Sequence, residues 1–116
     1  MRVMAIIMAA GNSPLGGPTD RQRLAELDRF NEELVRAGVM LAGEQLEPAS
    51  GGVRVRFTIG APPTIGETGQ VTELVSGFWL WQVRSIDEAI EWAKRSPRPS
   101  GDTAEIEIRR VVELNG

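Results

Sequence analysis

Two strand-length segments of this 116-residue chain, Arg2–Ala10 and Gly77–Val83, are apolar at almost every position. Successive side chains on a strand point to opposite faces, so each segment presents apolar groups on both. Met4, Ile6 and Met8 make a one-sided stripe in the first, and Trp79 and Trp81 stand opposite Phe78 and Leu80 in the second. Helical periodicity is clear in only two stretches, and two short helices cover only one face of a sheet this size. The face left over must be buried against something else, and a symmetric copy is the simplest cover. A homodimer is therefore expected.

The remaining elements follow from punctuation and period. Gly11–Pro18 is a loop dense in Gly, Pro, Asn and Ser. Thr19 with Gln22 reads as a capping box, and Leu24, Leu27, Phe30, Leu34 and Val35 recur at helical spacing until Gly38 supplies a left-handed stop. Val39–Leu46 reads as a strand and Pro48–Gly52 as a turn. Val53, Val55 and Phe57 alternate with Arg54 and Arg56 to give a third strand. Gly60–Gly69 reads as a long irregular connection. Ser85 and Glu88 open a second helix with Ile86, Ala89, Ile90 and Ala93 inward, closed by Pro97 and Pro99. Ala104–Val112 alternates Ile106 and Ile108 with Glu105, Glu107 and Arg109, a final strand. The order predicts an α+β fold, a ferredoxin-like split βαβ arrangement with an extra central strand, in a single domain over residues 1–116.

Composition removes whole classes of chemistry. The chain has no cysteine and no histidine, which excludes disulfides, thiol nucleophiles, thiolate sites and any mechanism that depends on imidazole. Thirteen basic and sixteen acidic side chains give a net charge of −3. They form no basic stripe, so no nucleic-acid partner is expected. The apolar start is too short for a signal peptide and no run reaches membrane-spanning length. No membrane association is expected, and a cytoplasmic location is the default.

Several segments resemble the YCII-related family of the DGPF type. They are 31–44 (Asn-Glu-Glu-Leu-Val-Arg-Ala-Gly-Val-Met-Leu-Ala-Gly-Glu), 53–57 (Val-Arg-Val-Arg-Phe), 77–83 (Gly-Phe-Trp-Leu-Trp-Gln-Val), 88–94 and 105–109. The resemblance runs in order along nearly the whole chain. It implies a dimeric α+β barrel in which paired sheets and their helices enclose a cavity. The family's namesake run, Asp-Gly-Pro-Phe-x-Glu-x-Lys-Glu, aligns with residues 65–73, where only Gly66 and Glu73 survive. Its Asp, Glu and Lys positions are Ile65, Gln70 and Thr72 here, and Met8 stands where relatives often carry a lysine. The His-Asp pair of some relatives has no counterpart in a chain without histidine.

Six candidate sites follow from the residues. Glu44 sits in an otherwise apolar strand, and a carboxylate enclosed among apolar groups suits general acid or base work. The plainer alternative is an exposed strand-end carboxylate, or one paired with Arg54 or Arg56. Glu73, with Glu67 nearby, is the second candidate catalytic carboxylate, against the alternative of solvated loop charges. No third ligand stands at a recognisable spacing, so no metal and no cofactor are expected. Gln70 is a candidate ligand contact at the altered motif. Arg56 would orient a polar end of a ligand, unless it and Arg54 form the solvated side of an outer strand. Trp79 and Trp81 would stack on an aromatic ligand, or else pack in the core. Met8 would line an adaptable wall, against the plainer alternative of core filling.

Two functions fit these residues. One is a small-molecule-binding dimer with a largely apolar pocket for an apolar or aromatic ligand, acting as a cofactor-free lyase, isomerase or cyclase of secondary or catabolic metabolism through a carboxylate. The other is a non-catalytic binding or regulatory dimer that has lost its relatives' polar site.

Overall fold

The computed structural model of the chain describes residues 1–10, 18–47, 51–67, 74–97 and 103–114. Its elements run β1 (Arg2–Ala10), α1 (Pro18–Arg36), β2 (Met40–Gln45), β3 (Val53–Arg56), β4 (Thr64–Glu67), β5 (Leu74–Gln82), α2 (Ile86–Arg95) and β6 (Thr103–Arg110). Four strands form one antiparallel sheet in the order β2-β5-β1-β6. Each βαβ unit thus has its two strands split by a strand of the other, which is the ferredoxin-like α+β fold. The extra strand, β3, lies outside this sheet. It pairs with β4 in a separate hairpin.

Local chemistry sets the boundaries. α1 ends in a Schellman motif: Gly38 has φ 72°, the Val39 N–H donates to the Leu34 carbonyl at 2.9 Å, and the Gly38 N–H donates to Val35. The residues that close the motif, Leu34 and Val39, are both buried, so the cap also seeds the core. At α2 the Ser85 hydroxyl accepts from the Glu88 N–H at 3.1 Å, while the Glu88 carboxylate accepts from the Arg84 N–H at 2.7 Å. This is a capping box displaced by one residue. Helix α1 begins at Pro18, so Thr19 falls in its first turn and the cap position falls on Gly17, outside the described residues. Proline suits a first helical position because its missing N–H would be unpaired there anyway.

The core lies between the helices and one face of the sheet. Val3, Ala5 and Ile7 of β1 and Trp79 and Trp81 of β5 meet Phe30 and Leu34 of α1 and Ala89 of α2. Leu24 and Val35, predicted on the buried face of α1, are exposed, and the contact runs along Leu27, Phe30 and Leu34 instead. Val35 is one residue, about 100° of helix, away from Leu34. On α2, Ile90 is at the exposed margin and Trp92 packs inward. The Phe30 ring meets Trp79 edge-on at 5.6 Å and Trp92 at 6.2 Å, and Arg95 lies 4.7 Å from the centre of the Trp92 ring. Arg95 also pairs with Glu33 at 2.7 Å, tying the two helices together at their exposed edge.

Gly43 is the point at which β2 admits the Trp79 indole. A methyl group there would lie 2.6 Å from Trp79 Cδ1 and 2.8 Å from Met40 Cε. The methionine end can swing away, but the indole is packed on every side. Gly43→Ala is expected to lower unfolding stability by about 1–3 kcal/mol, the usual cost of overpacking, read as a lower urea midpoint at unchanged m-value.

Candidate functional site

The face of the sheet opposite the helices is covered by no described element. Strand register fixes what it displays. Across one row run Glu44 of β2, Phe78 of β5, Ile6 of β1 and Glu107 of β6. The next row reads Ala42, Leu80, Met4 and Arg109, and towards the other end Val75, Met8 and Glu105 stand side by side. The two central strands therefore supply an apolar stripe, and the two outer strands rim it with carboxylates and one guanidinium. Met4, Ile6, Met8, Phe78 and Leu80 are half-buried because they shield one another. Glu44, Glu105, Glu107 and Arg109 are exposed.

The sequence-predicted residues distribute unevenly over this surface. Met8 and Glu44 lie on it. Trp79 and Trp81 do not: they are 2% and 0% exposed, under the helices, stacked on each other with ring centres 5.4 Å apart. Alternation forces that outcome. Once Val3, Ala5 and Ile7 face the helices, register places Trp79 and Trp81 beside Ala5 and Val3, and Phe78 beside Ile6 on the open side. Phe78 is the aromatic ring of the open face, and the tryptophans drop out as ligand contacts there. Arg56 is exposed on the separate hairpin, on the same side as Arg54. Glu73 and Gln70 lie outside the described residues. Thr64–Glu67, predicted as irregular connection, is strand β4, with Gly60 at φ 81° and an Ala61 N–H to Thr58 carbonyl bond turning the chain. Glycine takes that left-handed position without strain.

Two residues of consequence have only faint sequence signals. Glu107 becomes the counterpart of Glu44 through pairing of β6 with β1, which alternation alone does not specify. Asn31 is a polar residue beside Phe30 on the inner side of α1, and its Oδ1 accepts the Trp79 indole N–H at 2.9 Å. The Trp81 indole N–H is buried and finds no acceptor among the described residues.

The electrostatics at the sheet's end are simple. Arg2 makes a two-point pair with Glu113, Nε to Oε1 at 3.0 Å and a terminal guanidinium nitrogen to Oε2 at 3.1 Å. That hydrogen bonding holds the Glu113 carboxyl below its ordinary range and raises Arg2. The pair is exposed, so it fixes geometry more than it stabilises. Among the described residues no group of three or more acidic side chains is placed to hold a metal ion. No described helix is long and apolar enough to cross a membrane. An open groove of about 410 Å³ runs between α2 and β6, floored by Ile90, Ile106 and Ile108 and edged by Lys94 and Glu105.

Four antiparallel strands in this order, with both helices on one face, define a ferredoxin-like α+β protein with one open apolar sheet face. The family model of the YCII-related domain matches residues 1–115, and the chain belongs to that family. No curated protein matches it significantly.

Asn31→Ala would leave the buried Trp79 N–H without its acceptor. The expected cost is about 1–3 kcal/mol in chemical unfolding, with the open face unaltered.

Proposed function

We propose that the chain works as a homodimer holding a small, largely apolar or aromatic molecule between the open faces of its two sheets. The observation that carries this reading is the stripe of Met4, Ile6, Met8, Phe78 and Leu80, covered by no other described element and rimmed by Glu44 and Glu107.

Two sheets facing each other across apolar side chains leave room for a ligand wherever methionines yield. Glu44 and Glu107, at opposite edges of the same row, then become the acidic groups nearest to it. A carboxylate in water-poor surroundings can take a proton from carbon or return one. That is the chemistry of a cofactor-free lyase, isomerase or cyclase, with Glu44 as the proton-moving group. The second reading, a binding or regulatory dimer without turnover, draws support from the apolar residues at positions where relatives carry polar ones, Met8 among them.

Native mass spectrometry should find twice the 12.7 kDa chain mass, with a small molecule released on unfolding. A monomer at every concentration would overturn the proposal. Ile6→Glu with Phe78→Glu puts charge into the proposed interface and should give a folded monomer. Glu44→Gln should keep the dimer and its melting temperature. Loss of turnover in that variant marks the enzyme, whereas ligand-dependent stabilisation with the ligand unchanged marks the binder.

A further inference from the structure

Strand β6 ends the four-stranded sheet, and among the described residues no strand pairs with its outer edge. Its backbone orientation follows from one bond: the Val111 N–H donates to the Arg2 carbonyl at 3.0 Å. In an antiparallel ladder alternate residues turn both backbone groups to the partner strand. The register with β1 runs unbroken from Arg110 to Thr103, so Arg109, Glu107 and Glu105 bond to β1. Ale-length alternation leaves Ala104, Ile106 and Ile108 with N–H and carbonyl turned outward. The side chains of these three residues stand beside Ala9, Ile7 and Ala5, on the helix side of the sheet. There they meet Ile90 and Ala93 of α2 across the open groove of about 410 Å³. One strand edge thus offers bare backbone groups and, directly beside them, an apolar trough.

We propose that β6 and α2 form a docking site for an extended segment of another protein, one that alternates apolar and basic side chains and joins the sheet as an antiparallel strand. Residues opposite one another in such a pair share a face. The partner residues bonded to Ala104, Ile106 and Ile108 therefore lay their side chains over the groove, which selects apolar ones. Those in between stand opposite Glu105 and Glu107, which are exposed on the other face. Opposite charge across a strand pair stabilises it and like charge repels, which selects lysine or arginine. Backbone bonds supply the affinity of such an added strand, and its alternate side chains supply the selectivity. A second copy of β6 matches poorly: the antiparallel register that sets Ile106 against Ile108 also sets Glu107 against Glu107. The same glutamates that turn away an acidic edge admit a basic one. The site needs no homodimer and no ligand on the open face.

The test is titration of the full chain with the peptide acetyl-Val-Lys-Val-Lys-Val-amide, followed by backbone amide NMR. The Ile106 and Ile108 amides should shift and become protected from hydrogen exchange. A peptide with glutamate in place of lysine should bind about tenfold more weakly, and Glu105→Lys with Glu107→Lys should reverse that order. Methylating the valine nitrogens, which face β6, should abolish binding, whereas methylating the lysine nitrogens should not. Silence of the edge amides at millimolar peptide would overturn the proposal. Equal binding after valine methylation would reduce the effect to charge attraction and overturn it as well. Edge amides already protected in the chain alone would assign the edge to another occupant: a second copy if dilution removes the protection, the chain itself if it does not.

Discussion

A sheet has two faces, and this chain provides helices for one. Everything else in the structure is arranged around which side chains take the covered face. Trp79 and Trp81 are the largest groups in the sheet, and their burial against Phe30, Leu34 and Ala89 decides the matter. Gly43 clears the space on β2 and Asn31 satisfies the Trp79 indole nitrogen. With the tryptophans turned inward, period two leaves Phe78, Leu80 and the methionine-isoleucine stripe of β1 outward. Shielding by neighbours lowers the cost of that exposure but does not remove it.

The outer strands give the open face its chemical character. β2 and β6 are edge strands, and charge at an edge discourages uncontrolled pairing. The same charges fall in register with the apolar stripe, so Glu44 and Glu107 lie at the two ends of the Phe78–Ile6 row. One carboxylate beside an apolar surface is ordinary. In the dimer proposed above, two flanking a covered apolar space would be a means of holding a ligand with one polar end, or of moving its proton.

Much of the fold was legible in the sequence because local signals agreed with tertiary ones. Gly38 ended α1 as expected, Ser85 and Glu88 opened α2, and the alternation of β1, β5 and β6 survived intact. Misreadings arose where local chemistry was ambiguous. The Gly-Pro punctuation before Thr64 concealed a four-residue strand whose pairing partner is eight or more residues away. Helical period placed Leu24 and Val35 on an apolar face without showing how little of α1 the sheet can cover. For the site, Met8 and Glu44 fall on the open face. The tryptophans, read as ligand contacts with core packing as the alternative, lie in the core. Alternation tells which side chains share a face and is silent on which face the helices choose.

The four methionines offer the most direct measurement of whether the open face is covered. Met1 is exposed at the chain's start, Met40 packs against the core, and Met4 and Met8 lie on the open stripe. Peroxide oxidation followed by peptide mass spectrometry reports the exposure of each thioether. If a second copy covers the stripe, Met4 and Met8 stay reduced at high protein concentration while Met1 oxidises, and both become reactive in the Ile6→Glu, Phe78→Glu variant. Oxidation of Met4 and Met8 as fast as Met1 in the folded wild-type protein at high concentration would contradict a covered face.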